Sequence, residues 1–208
     1  MWNDSRCCGL SLAQEAIYFD QLRQGDSPLY NIGGYIVCHD IDVQRLRQAH
    51  QNVIEHNEMF FVSFEQQDGK LEQRFQNTPA IDLPIVDFSS TASPELEAQQ
   101  WLQTQFHQPI PLLGKILFKA WLVKLSARQY WYVGLAHHMI IDGWGFSSWA
   151  LQLSKCYASE SVTVEPLQVS YVNSELTYRE SPKYEKDKAY WQSQLQALPA
   201  RFYIRVTT

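Results

Sequence analysis

Apolar residues recur along this chain at two spacings, which mark alternating helices and strands. In residues 10–23 they fall three or four positions apart, which predicts an amphipathic helix capped by Ser11. In residues 32–38 β-branched and aromatic side chains cluster, which predicts a strand. By the same two criteria further helices are predicted at residues 42–54, 94–106, 145–157, 169–178 and 186–198, and further strands at residues 59–64, 71–75, 83–88, 116–125 and 130–136.

Two pairs of these strands are close enough in sequence to form hairpins. Residues 116–125 and 130–136 are apolar and are joined by a short polar link near Ala127 and Arg128, which predicts an antiparallel pair. Asp68 and Gly69 form a hairpin signal before residues 71–75. Helices interspersed with antiparallel strands predict an α+β domain in which a mixed sheet packs against helices.

Composition and charge narrow the function classes. The chain has 208 residues, 45% of them hydrophobic and 13% aromatic, which is enough to bury a sizeable core. Its net charge is −5 with both signs interspersed, which argues against a nucleic-acid partner. No apolar run is long enough to cross a bilayer and the start is not of signal type, so no membrane partner is expected. The four cysteines lack the CxxC spacing of zinc sites and indicate a reduced, cytoplasmic protein.

Candidate chemistry is concentrated where a predicted strand gives way to a predicted helix, at His137, His138, Asp142 and Gly143. Adjacent residues of an extended segment point to opposite faces, so one histidine at most faces a cleft. An imidazole is mostly neutral at pH 7 and suits a general base. The N–H of Gly143 could stabilise a developing oxyanion, and a salt bridge from Asp142 would orient the loop.

Other interpretations of these residues stay open at this point. Both histidines fit ordinary strand-end positions, and His137, His138 and Asp142 offer three possible metal ligands. Adjacent strand histidines point apart and no second ligand cluster is evident, so no metal is expected. Trp144 either packs the loop or lines a substrate channel. The aromatic side chains on the neighbouring elements are expected in the core; these are Trp101, Phe106, Trp121, Trp131 and Tyr132.

The segment from His137 to Trp144 resembles the HHxxxDG signature of nonribosomal peptide synthetase condensation domains. Three other segments are similar to motifs of the same family. Residues 11–19 look like its first motif, of SxAQxxxY type, residues 171–173 lie at its YxDF-type motif, and residues 189–195 are similar to its YW…L helix. The resemblance therefore extends from about Leu10 to about Leu198.

The chain also departs from the family pattern in two respects. In the second motif, RHExLRTxF, Glu58 and Phe64 match but Phe61 replaces the internal arginine, so any salt bridge of that arginine is lost. Condensation domains are about twice as long as this chain and consist of two similar lobes of chloramphenicol-acetyltransferase type. The resemblance thus implies one lobe of a two-lobe domain, with residues 10–165 as the N-terminal lobe and residues 166–208 as a helical segment leading toward the second.

The resemblance also implies roles and partners. His138 would be catalytic by deprotonating or positioning the acceptor amine, and Gly143 would be the backbone donor near the tetrahedral intermediate. His137 and Asp142 would be structural, and the arginine that pairs with Asp142 would lie in the second lobe. No cofactor would be bound; the substrates would arrive on the 4'-phosphopantetheine arms of peptidyl or acyl carrier proteins. A second condensation lobe, in cis or by association, would be the other partner.

Four functions compete at this level. The first is an amide-forming acyltransferase lobe, and the second is an epimerisation domain that uses the same histidine for proton transfer at an α-carbon. A third is a coenzyme A-dependent enzyme of chloramphenicol-acetyltransferase type, whose motif would lie closer to the C-terminus than His138 does here. The fourth is a non-catalytic interaction module or truncated remnant, and the isolated chain is expected to be weak or inactive.

Overall fold

The computed structural model describes residues 7–67, 69–75, 81–160 and 168–196, with side chains in the last range from Tyr171 onward. Its helices and strands follow one another in the order β1 (Cys7–Cys8), α1 (Leu12–Gln24), β2 (Asn31–His39), α2 (Val43–His56), β3 (Val62–Gln67), β4 (Lys70–Phe75), β5 (Ile85–Asp87), α3 (Pro94–Phe106), β6 (Phe118–Lys124), β7 (Gln129–His137), α4 (Gly143–Tyr157), α5 (Gln168–Arg179) and α6 (Pro182–Gln196).

The described strands form two sheets. The larger one has the order β2-β7-β6-β5 and the smaller one the order β1-β4-β3. Strands β6 and β7 pair antiparallel with Leu122 opposite Tyr132, which confirms the pairing predicted for residues 116–125 and 130–136. Strand β5 joins β6 in parallel, so the sheet is mixed, and the predicted α+β class, with a mixed sheet packed against helices, is confirmed.

Alternation along β6 and β7 directs side chains to two separate apolar layers. On one face Leu122 and Tyr132 pack with helices α2 and α4 in the main core. On the other face Val123 and Trp131 pack with α3 in a second cluster. Of the aromatic residues expected in the core, Trp131 and Tyr132 are buried, while the other three are half-buried against these clusters.

Helix α4 lies close to strand β7 because Gly134 has no side chain. A Cβ atom at Gly134 would lie 2.7 Å from Cη2 of Trp149, which is too close for any real contact. Trp149 instead packs edge-on against Phe118 and Phe146, with ring centroids 5.5 and 5.6 Å apart. This close packing fixes the start of α4 relative to the end of β7, which is where the candidate residues lie.

The strand predicted at residues 59–64 is wrong in its first half. Glu58–Phe61 form a 3₁₀ turn, and β3 begins at Val62. The turn buries Phe60 and Phe61, and β3 continues with three buried residues, so burial alone does not distinguish the turn from the strand. The hairpin between β3 and β4 is present, with Gln67 opposite Lys70, although Asp68 lies outside the described residues.

The remaining predicted elements are present with shifted ends, and the two-residue strand β1 was not predicted. Helix α4 begins at Gly143 rather than at residue 145, since Asp142 is its N-cap. The last predicted helix, residues 186–198, begins earlier, at Pro182, and its final two residues lie outside the described part of the chain. Among the described residues no helix is both long and apolar enough to cross a membrane.

Candidate functional site

His138 is the first residue of a short turn between the end of β7 and the start of α4. Its backbone N–H donates to the carbonyl oxygen of Tyr30 at 2.8 Å, and the N–H of Ile140 donates to the carbonyl of His137 at 3.1 Å. The His138 side chain is half-buried, and its ring forms no hydrogen bond with the described residues. Both ring nitrogens are therefore available to a bound molecule.

His138 is one of the residues that line a cavity of about 430 Å³ between the turn, helix α1 and strands β3 and β4. The wall nearest α1 contains Gln14 and Ile17, and Tyr171 of α5 also lines the cavity. The Tyr171 hydroxyl donates to Glu175 at 2.7 Å, and Glu175 accepts from the N–H of Leu12 at 2.8 Å. Helix α5 is thus held against the start of α1, beside the cavity.

His137 is buried and fully engaged. The N–H of Met139 donates to His137 Nδ1 at 3.1 Å, so the ring proton resides on Nε2, which faces Gln21 Oε1 at 3.3 Å. Burial, and secondly the neighbouring His138, lower the pKa of His137 from its usual 6.5 to about 4. His137 is consequently neutral at pH 7 and shapes the turn. Both ring nitrogens of His137 have hydrogen-bond partners, so neither is available to bind a metal ion. Among the described residues no group of three or more His, Cys, Asp or Glu side chains could hold a metal ion.

The lowered pKa of His137 predicts acid sensitivity of the fold. A folded-state pKa below the unfolded value means that the unfolded chain binds the proton first, so stability falls as the pH drops through 6.5 toward 4. From His137 alone we expect the free energy of unfolding to be about 2 kcal/mol lower at pH 5 than at pH 8. Burial lowers the pKa of His50 as well and adds in the same direction. Urea unfolding at both pH values measures the difference.

The matched variants are His137→Gln and His39→Gln. His137→Gln removes the titrating group, so its stability should depend less on pH than that of the parent protein. His39 is exposed, so His39→Gln should keep the full dependence. Equal pH dependence in His137→Gln and the parent would contradict the assignment.

Asp142 caps helix α4. Its Oδ1 accepts from the N–H of Gly145 at 2.7 Å, and its carbonyl oxygen accepts from the N–H of Phe146 at 2.9 Å. No lysine, arginine or histidine of the described residues pairs with its exposed carboxylate. Within the described chain the loop is therefore oriented by this cap and not by the salt bridge that the sequence suggests.

Gly143 of the motif and the nearby Gly145 differ in what surrounds them. A Cβ at Gly143 would meet nothing within 4 Å, so the described residues leave open space there. A Cβ at Gly145 would lie 2.7 Å from Cγ1 of Ile141 and 3.3 Å from the capping oxygen of Asp142. Gly145 thus keeps the cap close, a role that sequence reasoning missed. Gly143 opens the first turn of α4, where backbone N–H groups lack helical acceptors.

Gly143 also lines a second cavity, of about 290 Å³, between α4 and the edge strand β2. Its walls include Gly34, Ile36 and Phe146, and none of its lining residues is charged. His138 lines one cavity and Gly143 the other, so both cavities adjoin the turn. Trp144 is 84% exposed and does not pack the loop against the described residues; its place in a substrate channel stays a prediction.

Two polar residues beside this turn, the buried Gln21 and the half-buried Tyr30, were not identified from the sequence. Gln21 donates to the carbonyl oxygens of Gly25 and Ser27 while facing His137. The ring of Tyr30 lies 5.9 Å from that of His137, and its hydroxyl donates to Asp20 at 2.9 Å. A glutamine one helical turn from Ile17, on the inward side of an amphipathic helix, is the signal that would have indicated Gln21.

Comparison with known proteins gives consistent similarities. A family model, Condensation domain, matches residues 5–205. A dimodular nonribosomal peptide synthase of Bacillus subtilis (strain 168) is 31% identical over 192 residues, which is 88% of this chain and 8% of that protein. An isonitrile lipopeptide synthase of Streptomyces coeruleorubidus is 27% identical, over 94% of this chain and 15% of that protein.

Among solved structures, the starter condensation domain of rhizomide synthetase RzmA matches with a TM-score of 0.83 at 27% identity. The match covers 95% of this chain and 52% of that one. A form of the same domain has been solved in complex with C8-CoA, with which this chain shares 27% identity and a TM-score of 0.83. The chain spans about half the length of these solved domains and a small fraction of the curated synthetases.

Proposed function

Because this chain belongs to the condensation domain family of nonribosomal peptide synthetases, we propose that it is the catalytic N-terminal lobe of an amide-forming acyltransferase. The observation that supports this most directly is the position of His138. Its ring has no hydrogen-bond partner among the described residues, His138 lines a 430 Å³ cavity, and the start of helix α4 lies five residues further on. A base and a backbone donor on one rigid strand-to-helix turn suit acyl transfer.

The proposed reaction joins two carrier-bound substrates. The amine nitrogen of the acceptor attacks the thioester carbonyl carbon of the donor, and the oxygen becomes an oxyanion near the N–H of Gly143. The carbon–nitrogen bond forms and the carbon–sulfur bond breaks. His138 accepts or orients the amine proton, and a proton is returned to the departing thiolate of the phosphopantetheine arm. No metal or redox partner is needed for this balance.

His137 and Asp142 act in this proposal through structure. His137 stays neutral and accepts the Met139 N–H, which holds the turn, while Asp142 caps α4 and so orients Gly143. The two cavities that adjoin the turn supply room for two substrates whose reacting ends meet at the turn, with Trp144 at the rim of the channel. Residues 10–165 form the lobe in this view, and residues 166–208 lead toward a second lobe supplied in cis or by association. The two substrates come from peptidyl or acyl carrier proteins.

The test is amide formation by this chain joined to a second condensation lobe, with two loaded carrier proteins as substrates. Mass spectrometry of the carriers should show a new amide on the acceptor arm and a free thiol on the donor arm. Incorporation of deuterium at the acceptor α-carbon without amide formation would instead indicate an epimerisation domain. Absence of both reactions in the joined protein would contradict the proposal.

A further inference from the structure

A buried glutamine links the start of α1 to the turn that carries His138. Gln14 is 6% exposed. Its Oε1 accepts from the N–H of Ser11 at 2.9 Å, while its Nε2 donates to Gln73 Oε1 at 3.0 Å and to the carbonyl oxygen of Met139 at 3.1 Å. Both N–H donors of the amide are therefore used, one of them on the residue next to His138.

The direction of the Gln14 amide is set by its neighbours. Gln73 is fully buried, and its Nε2 donates to the carbonyl oxygen of Gly9 at 2.7 Å. That bond turns Gln73 Oε1 toward Gln14, and the Ser11 N–H requires an acceptor at the other end of the Gln14 amide. An amide turned the other way would place oxygen against oxygen at Gln73. Gln14 must consequently present a donor, and not an acceptor, to Met139.

Hydrogen bonds hold the backbone on both sides of His138. Before it, the His138 N–H is held by Tyr30 at 2.8 Å. After it, the Met139 N–H is held by His137 Nδ1 at 3.1 Å and the Met139 carbonyl by Gln14 at 3.1 Å. The imidazole has no hydrogen bond of its own to the described residues. The direction of the His138 ring is therefore set by the conformation of the backbone around it. In many other sites a carboxylate that hydrogen-bonds to the ring sets this direction instead.

We propose that Gln14 is a positioning residue for His138 and acts through the Met139 carbonyl. This inference rests on the proposed function, because the role of His138 in the reaction is part of that proposal. Met139 is 2% exposed, so loss of the donor leaves a buried carbonyl without a partner and favours rotation of that peptide group. The rotation changes where the His138 ring points. A displacement of about 1 Å at a reacting group lowers a rate about 10²-fold.

Two variants and one control separate this role from plain helix stability. Gln14→Glu keeps an acceptor for the Ser11 N–H and removes both donors; Gln14→Met removes all polar contacts without adding a buried charge. Ser11→Ala is the control, because it deletes the Oγ cap that accepts from the Gln14 N–H at 3.2 Å and leaves the Nε2 bonds intact. If Gln14→Glu fails to fold, Gln14→Met carries the test.

The measurements are kcat and KM for amide formation by the chain joined to a second lobe, and the ring resonances of His138 in ¹³C-histidine-labelled protein. We expect both Gln14 variants to lower kcat about 10–100-fold with KM little changed, and to shift the His138 resonances. Ser11→Ala should lower stability and leave both readouts unchanged.

The outcomes distinguish this inference from the proposed function. Unmoved His138 resonances in the Gln14 variants, an unchanged kcat, or an equal loss of kcat in Ser11→Ala would each overturn the positioning role while amide formation by the parent protein stands. If the parent forms no amide at all, the proposed function fails. The resonances then decide whether Gln14 holds the turn.

Discussion

Replacing His138 by alanine is expected to lower the rate of amide formation about 10²–10⁴-fold in the chain joined to a second lobe. The reason is that His138 lines the 430 Å³ cavity and its imidazole has no partner among the described residues. Its removal takes away the group that we propose accepts or orients the amine proton. The fold should tolerate the change, because the bonds that hold the turn come from the backbone of His138. Single-turnover kinetics with preloaded carrier proteins measure the chemical step directly.

The matched control is His39→Ala. His39 is exposed at the end of β2, so the same substitution there removes a histidine without touching the cavity. Its rate should equal that of the parent protein. Full activity of His138→Ala, with unfolding curves showing both proteins folded, would refute the catalytic assignment and leave His138 as a structural residue.

The 208-residue chain on its own is expected to form amide at least about 10²-fold more slowly than the chain joined to a second lobe. Much of the rate of acyl transfer comes from holding nucleophile, base and thioester together, and the solved relative is about twice as long as this chain. In the lone chain Asp142 has no cationic partner among the described residues and Trp144 is 84% exposed. Assaying both proteins with the same loaded carriers measures the ratio.

The lone chain is also expected to self-associate. Strand β2 pairs with β7 alone among the described strands, and its outer edge exposes Tyr35, Ile36 and Val37 at 45%, 37% and 48%. An uncharged, apolar edge strand is a template for pairing with another chain. Light scattering after size exclusion should show oligomers, and Val37→Lys should reduce them, whereas Leu151→Lys on the exposed side of α4 should not. A monomer in this measurement would contradict the expected self-association. If that monomer also forms amide at the rate of the joined protein, one lobe suffices for the reaction.

The sequence predicts the fold well where apolar periodicity is long and regular. The β6–β7 pair and helices α1, α2 and α3 appear as expected, because each buries one face or alternates between two layers. The sequence did not predict the 3₁₀ turn at Glu58–Phe61. A short run of apolar residues is compatible both with a buried strand and with a buried turn, so its pattern does not distinguish them. The parallel placement of β5 depends on contacts distant in sequence and has no local signal.

The candidate site likewise has features that the local sequence predicts and features that depend on distant residues. The motif from His137 to Gly143 is local, so its spacing alone places two histidines where a strand ends and an aspartate shortly before a helix. Spacing does not show which side chains reach that turn from elsewhere. Gln14 and Gln21 of α1, Gln73 of β4 and Tyr30 come from distant parts of the chain.

The sequence by itself determined the class of fold, the HHxxxDG turn and its family, since these depend on residue types within a short window. Tertiary structure decided the state of the site. It buried His137, which lowers its pKa to about 4, and it left the ring of His138 without a partner beside a cavity. It also used Asp142 as a helix cap. The physical reason is that burial and hydrogen-bond partners depend on which distant segments pack together. The residue types within one short motif do not determine which segments those are.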